Sequence, residues 1–265
     1  MRDLFSSSQA LVGMVHVQAL PGTPRNTLTP QEIVERAVGE AKILQESGFD
    51  GIILENMHDI PYLNRKVGPE IVAGMACVCQ AVRKEISLPL GGQILAGANE
   101  EALSVAHAAG ADFIRAEGFV FAHTADEGII EACAGDLLRY RKQIGAERVK
   151  ILCDIKKKHS SHALTQDLSL AETAHAAEFF LADGVIVTGV STGSKTAPQD
   201  LEEVVGATRL PVWIGSGLTP DNLSLYEQAH GLIVGSWIKQ EGDWMKPVDG
   251  ERAKAMVAAF RRSGP

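Results

Sequence analysis

Short apolar runs rich in Val, Ile and Leu alternate with longer amphipathic segments along almost the whole chain. Continuous apolar runs are typical of parallel strands buried on both faces, and the amphipathic segments between them are typical of crossover helices. Eight such units predict a (β/α)8 barrel, with an open doubly wound sheet as the alternative. The predicted strands are Leu11–Val17, Gly51–Glu55, Leu90–Ile94, Asp112–Ala116, Lys150–Ile155, Gly184–Thr188, Pro211–Ile214 and Gly231–Val234.

Residues typical of helix ends support the segments between these strands. Thr29 precedes Pro30, and Glu32 follows three residues after Thr29, which predicts a capping box at the start of the first helix. The third helix is predicted to begin at Asn99 and to end before Gly110, and Asp249 is predicted to cap the last helix. Loops after strands are longer and more polar than loops after helices. This asymmetry predicts that the working face lies at the C-terminal ends of the strands.

Two glycine–serine turns follow the last two predicted strands. The first is Gly215-Ser216-Gly217, and the second is Gly235-Ser236. Glycine lets a backbone approach a ligand with its N–H groups exposed, so two such turns side by side would suit a phosphate. In barrels of this type, phosphate often binds the loops after the seventh and eighth strands. The pattern favours a phosphate site, and ordinary tight turns are the alternative.

Two further segments are expected to border these turns. A helix is predicted to start at Pro220, where its N-terminus would add N–H donors to the site. Thr192 and Gly193, in the loop after the sixth strand, are expected to close over the bound phosphate.

Polar side chains end several of the predicted strands. Glu55 and Asp154 could act as acid and base in proton transfer next to a carbonyl, or they could form structural ion pairs with Arg115 or Lys158. His16 could contact substrate or be a packed core histidine, and Lys158 could form a Schiff base or mark an exposed loop. The predicted catalytic residues are Asp154, Glu55, His16 and Lys158. The predicted substrate-binding residues are Asn56, Gln93, Arg115, Glu117, His159 and Thr188.

Composition limits which partners and which cellular location the sequence predicts. The 265 residues carry a formal net charge of −8 without a basic stripe beyond the short run Lys156-Lys157-Lys158, which argues against nucleic acid as the main partner. Four cysteines without a C-x-x-C pair, and the lack of a signal peptide or an 18-residue apolar stretch, predict a cytoplasmic protein with no integral membrane segment. No cofactor is predicted, a divalent metal is left open, and a homo-oligomer is expected by analogy with other barrels.

Six segments, taken together and in order, resemble the BtpA/SgcQ family. They are GMVHVQALPGTP (13–24), GIILENMHDIPY (51–62), DIKKKH (154–159), VTGVSTGSKT (187–196), GSGLTPDN (215–222) and GLIVGSWIKQEGDWMKPVD (231–249). The resemblance implies a single ribulose-phosphate-binding-type barrel over residues 1–265. The chain departs from the family pattern at Glu117, where the family usually has Arg-x-Asn at the end of the fourth strand, and at the bulky Trp237.

The function that the resemblance implies is divided. One branch consists of photosystem I biogenesis or stability factors, and the other occurs in settings of sugar metabolism. The resemblance and the polar side chains at the strand ends together predict an enzyme of isomerase, epimerase or lyase type. Its substrate would be a phosphorylated sugar or a similar small phosphate ester. The alternative is a non-catalytic biogenesis factor.

Overall fold

The computed structural model describes residues 4–5, 7–157, 159–189 and 195–263. Within these ranges, eight parallel strands close into a barrel, which confirms the predicted fold and excludes the open sheet. In chain order the strands are β1 Ala10–His16, β2 Gly51–Glu55, β3 Leu90–Gln93, β4 Phe113–Ala116, β5 His123–Ala125, β6 Gly128–Ile130, β7 Lys150–Ile155, β8 Ser160–Ser161, β9 Gly184–Val187, β10 Val212–Ile214 and β11 Gly231–Val234. Around the barrel the order is β1-β11-β10-β9-β7-β4-β3-β2.

Helices cover the outside of the barrel. They are α1 Pro30–Ser47, α2 Pro69–Glu85, α3 Asn99–Ala109, α4 Ala134–Gln143, α5 Leu170–Phe179, α6 Pro198–Ala207 and α7 Gly250–Ser263. The capping box at α1 is confirmed, since Thr29 Oγ1 accepts from Glu32 N and Glu32 Oε2 accepts from Thr29 N. No helix of the described ranges is both long and apolar enough to span a membrane.

The helix start predicted at Asn99 is confirmed, whereas the one predicted at Pro220 is wrong. Asn99 is the first residue of α3, but its side chain does not cap the helix and instead bonds the backbone N–H and carbonyl of Glu117. The helix expected from Pro220 is a short 3₁₀ helix, Leu223–Tyr226, because the Asn222 side chain binds Thr219 N and Gly217 O and holds the preceding residues in a turn.

The two long loops expected after the fourth and fifth barrel strands contain a second sheet. The segments β6, β5 and β8 form a three-stranded antiparallel sheet in that order. This sheet connects the loop after β4 to the loop after β7, so it fixes both at the C-terminal side of the barrel.

The N-terminal half of the barrel is filled by aromatic rings. A Cβ added to Gly91 would lie 2.3 Å from the Phe113 ring, and one added to Gly231 would lie 2.4 Å from the Trp213 ring. Phe5 packs against both rings, with centroid distances of 6.4 Å to Phe113 and 5.4 Å to Trp213. We call Phe5, Phe113 and Trp213 the aromatic plug. The neighbouring glycines leave the space that these rings occupy.

Candidate active site

Polar side chains replace the apolar ones at the C-terminal end of the barrel. His16 lies opposite Glu55 in the β1–β2 register, and Glu55 lies opposite Gln93 in the β2–β3 register. All three residues are at least nine-tenths buried. Strand alternation points these residues to the same side as the inward-facing Met14 and Ile53, so they form one ring at the mouth.

Arg115 and Asp154 form a bidentate ion pair across the mouth. Asp154 accepts from Nε of Arg115 at 2.9 Å and from Nη2 at 2.8 Å. Burial alone would lower the pKa of Arg115, but Asp154 raises it above its usual range. Arg115 Nη1 has no hydrogen-bond partner in the described part of the chain, and Arg115 borders the cavities on both sides. The guanidinium therefore offers donors to a ligand while Asp154 holds it in place.

His16 is fixed in one tautomer by a backbone carbonyl. Its Nδ1 lies 3.0 Å from the carbonyl oxygen of Trp244, which can only accept, so Nδ1 carries a proton. Its Nε2 is therefore the nitrogen that gains or loses a proton, and it lies 3.9 Å from Glu55 Oε2. A ligand atom that lies beside both groups could exchange a proton with either of them.

The two glycine–serine turns lie side by side, as expected from the sequence. They border a cavity of about 160 Å³, which Arg115, His16 and Glu55 also border. We call this part of the mouth the glycine lobe; its turn residues are Gly215, Ser216, Gly217, Gly235 and Ser236.

Several contacts shape the glycine lobe for a ligand. The N–H groups of Gly217 and Leu218 have no acceptor among the described residues. Gly217 has φ +70°, and Ser216 Oγ accepts from Gly189 N at 2.7 Å. A Cβ on Gly215 would meet Ile186 Cγ2 at 2.6 Å. The lobe therefore combines exposed backbone donors with little room for a side chain, which suits an anion.

A second cavity of about 270 Å³ adjoins the first and shares Glu55, Met57 and Arg115 with it. We call it the acidic lobe, because Glu55, Glu117, Asp126 and Glu127 contribute carboxylates to it. Its other walls are Gln93, the Tyr62 and Trp244 rings, Leu95, Ala96, Lys157 and His159.

Lys157 is a site residue that sequence reasoning missed. Its side chain is 9% exposed, and Nζ lies 3.1 Å from Glu117 Oε2. Gln93 Nε2 donates to the other oxygen of Glu117 at 3.3 Å. The predicted Lys158, Thr192 and Gly193 lie outside the described residues.

The other predicted substrate contacts differ in their surroundings. The Asn56 side chain donates to Asp59 and accepts from Leu95 N, so it braces the loop after β2 and does not border either lobe. Thr188 borders a neighbouring cavity together with Lys157. Glu117 and His159 both border the acidic lobe.

A fully buried lysine, Lys239, follows the second glycine–serine turn, at a position that belongs to the family's motifs but was not predicted as a site residue. Lys239 Nζ binds Glu40 Oε2 on α1 at 2.8 Å, and burial lowers the pKa of Lys239 despite this partner. Burial and the charges of Lys239 and Arg25 lower the pKa of His58 to about 4. The His58 ring lies against Trp244, with centroids 5.4 Å apart. The loop after β11 is thus anchored at Lys239 and at Trp244.

Metal binding has no direct support in the described ranges. No three His, Cys, Asp or Glu side chains there are grouped closely enough to hold a metal ion.

Comparison with known proteins places this barrel in a family. The family model described as the BtpA family matches residues 7–262. The chain belongs to the BtpA family. A mitochondrial protein of Caenorhabditis elegans is 49% identical over 94% of this chain and 92% of its own length. The photosystem I biogenesis protein BtpA of Synechocystis is 36% identical over 97% of this chain and 91% of its own length.

Solved structures with the same fold are distant in sequence. The thiamine phosphate pyrophosphorylase of Pyrococcus furiosus has a TM-score of 0.58 at 14% identity and covers 97% of this chain and 98% of its own. The N-(5'-phosphoribosyl)anthranilate isomerase of the same organism has a TM-score of 0.57 at 13% identity, and the match covers 96% of this chain and 99% of the isomerase. At these identities the likeness shows that this BtpA-family chain has the barrel fold of such enzymes.

Proposed function

We propose that this protein is an enzyme that binds a phosphorylated sugar or similar small phosphate ester and moves a proton next to a carbonyl. The observation that carries the proposal is the juxtaposition of the glycine lobe with Arg115, His16 and Glu55 around one cavity. Isomerisation and epimerisation next to a carbonyl begin with such a proton transfer, and so does a lyase reaction that eliminates a group from the neighbouring carbon.

The phosphate would occupy the glycine lobe. Gly217, Leu218 and Arg115 all border this cavity, and the N–H groups of Gly217 and Leu218 and the Nη1 donors of Arg115 would bind the phosphate oxygens. Two solved barrels of similar fold act on phosphorylated compounds by their names, which is consistent with this assignment.

Glu55 and His16 would carry the proton transfer. Their reactive atoms, Oε2 and Nε2, lie 3.9 Å apart at the border of the glycine lobe. Arg115 would stabilise negative charge on the substrate oxygen, and Asp154 would hold the Arg115 side chain. Lys157 would provide a second positive charge from the other side of the mouth. A cytoplasmic location and a homo-oligomeric state remain predictions.

A thermal-shift screen tests the phosphate assignment. Purified protein is heated with inorganic phosphate, sulfate, and a panel of pentose and hexose phosphates, because a ligand that binds the folded state raises the melting temperature. The shift should disappear in Gly217→Asp, which places a carboxylate in the glycine lobe.

Gly145→Asp is the matched control for this substitution. Gly145 has φ +71°, almost the same as the +70° of Gly217, and a Cβ there would meet nothing within 4 Å. The two variants therefore share the backbone penalty and the new charge, but only one changes the glycine lobe. Equal ligand shifts in both variants, or no shift with any phosphate compound, would refute the assignment.

A second candidate function is a non-catalytic assembly factor. The Synechocystis relative is named for photosystem I biogenesis, and three consecutive apolar residues at the end of α5 are exposed, namely Phe179 (81%), Phe180 (46%) and Leu181 (67%). Large exposed apolar side chains often mark a protein interface. On this view Phe179→Ser with Leu181→Ser would abolish function, whereas Glu55→Gln in the mouth would leave it intact.

A further inference from the structure

Gln93, which borders the acidic lobe, carries a buried hydrogen-bond acceptor that no donor of the described residues reaches. The residue is 1% exposed, and this acceptor is its Oε1. Its Nε2 donates to Glu117 Oε1 at 3.3 Å. The opposite orientation of the amide would place two oxygens against each other, so the amide nitrogen must face Glu117. The unpartnered oxygen is therefore a fixed feature of the site.

The charges of the acidic lobe point to the same kind of ligand. Glu55, Glu117, Asp126 and Glu127 border the lobe. Arg115 and Lys157, which border it among the described residues, are each already paired with a carboxylate, on Asp154 and Glu117 respectively. A second phosphate or a carboxylate placed there would face several like charges and the Gln93 carbonyl. A group with O–H donors would satisfy the same oxygens.

We infer that the acidic lobe selects a substrate that carries hydroxyl donors and no second anion, with Gln93 Oε1 accepting from one hydroxyl. This inference rests on the proposed function, because the phosphate of the same molecule would occupy the glycine lobe. The site thus takes a sugar monophosphate and rejects sugar bisphosphates and phosphorylated acids. Gln93 and Glu117 determine this specificity, and the Trp244 ring provides an apolar face for the carbon chain.

Isothermal titration of the full chain with four probes tests this inference. The probes are inorganic phosphate, ribose 5-phosphate, ribulose 1,5-bisphosphate and 3-phosphoglycerate. Ribose 5-phosphate should bind at least about tenfold more tightly than inorganic phosphate, which is the gain expected when a buried acceptor receives a donor. The bisphosphate and the phosphoglycerate should bind no more tightly than inorganic phosphate.

Gln93→Met gives a second test within the protein. It keeps the side-chain length but removes the acceptor, so the affinity for ribose 5-phosphate should fall by about tenfold while that for inorganic phosphate is retained. Glu46→Gln, which removes an exposed carboxylate from α1, should bind all four probes as the unmodified protein does.

The outcomes separate this inference from the proposed function. If inorganic phosphate and ribose 5-phosphate bind but the bisphosphate binds as tightly as ribose 5-phosphate, the specificity inference is overturned and the phosphate site stands. Equal losses for both ligands in Gln93→Met also overturn it. If none of the four probes binds, the proposed function and the inference fail together. Because the four probes are compared on the unmodified protein, this test does not depend on whether any variant folds.

Discussion

Both carboxylate oxygens of Asp154 are bound by Arg115, at 2.9 Å from Nε and 2.8 Å from Nη2, in a mouth where neither side chain is more than 5% exposed. Asp154→Asn removes the charge that compensates a buried guanidinium. We expect it to lower the free energy of unfolding by about 3 kcal/mol or more. Urea denaturation followed by circular dichroism measures this change.

The paired variant Arg115→Met with Asp154→Leu separates stability from binding. Replacing a buried ion pair by apolar side chains often preserves stability, so this variant should unfold within about 2 kcal/mol of the unmodified protein. Its affinity for phosphate should nevertheless fall by at least about tenfold, because charged donors to the ligand are lost. Unchanged phosphate affinity in the folded double variant would argue against a ligand contact by Arg115.

Gly215 should tolerate no side chain. In Gly215→Ala the new Cβ would lie 2.6 Å from Ile186 Cγ2, 3.0 Å from Thr188 Cγ2 and 3.3 Å from Arg115 Nη2. We expect a loss of about 1–3 kcal/mol of stability from overpacking, together with weaker phosphate binding. Gly39→Ala is the control, because Gly39 lies within α1 with nothing within 4 Å of the added Cβ. That substitution should stabilise the protein by about 0.5–1 kcal/mol.

Glu55 should be required for proton exchange but not for binding. When a bound sugar phosphate is incubated in D₂O, the carbon next to its carbonyl should gain deuterium, which proton NMR detects. In Glu55→Gln we expect the exchange rate to fall by at least about 100-fold, since a positioned base contributes about that factor or more. The exposed Glu46→Gln on α1 should exchange at the normal rate, and normal exchange in Glu55→Gln would exclude Glu55 as the base.

Two histidines should make the fold sensitive to mild acid. Burial, followed by the charges of Lys239 and Arg25, lowers the pKa of His58 to about 4. Burial, followed by Lys157, lowers the pKa of His123 to about 4 as well. In the unfolded chain these histidines bind a proton near pH 6.5. Their contribution to the free energy of unfolding is therefore fully present above that pH and is lost as the pH falls from about 6.5 towards 4.

The expected loss between pH 7 and pH 5 is on the order of 1 kcal/mol per histidine, after allowance for solvent screening at these partly shielded rings. Urea midpoints at the two pH values measure it. The dependence should weaken when His58→Gln and His123→Gln are combined, and it should persist in His175→Gln, which changes an exposed histidine. An unchanged pH dependence in the double variant would contradict the assignment.

Local patterns were sufficient to predict the barrel and much of its mouth. Strand β2, Gly51–Glu55, and strand β11, Gly231–Val234, have the bounds expected from their apolar runs. Because side chains alternate along a strand, the positions of His16 and Glu55 at strand ends were enough to bring them together.

Other parts of the site depend on interactions that no local pattern contains. Lys156 adopts φ +49°, which breaks the strand alternation and turns the next residue, Lys157, into the mouth. Lys239 can be buried because a carboxylate 199 residues earlier, that of Glu40, accepts a hydrogen bond from its Nζ. The small sheet of β5, β6 and β8 also joins two loops that are separate in sequence. These pairings are tertiary, and hydrophobic periodicity does not encode them.

The aromatic plug gives the barrel a closed floor. Phe113 and Trp213 fill the width of the barrel, and Phe5 packs against both rings. Among the described residues, access to the two lobes is therefore from the mouth. A molecule held there must leave by the route it entered, and a product must depart before the next substrate arrives. Anything that covers the mouth therefore controls arrival and departure together.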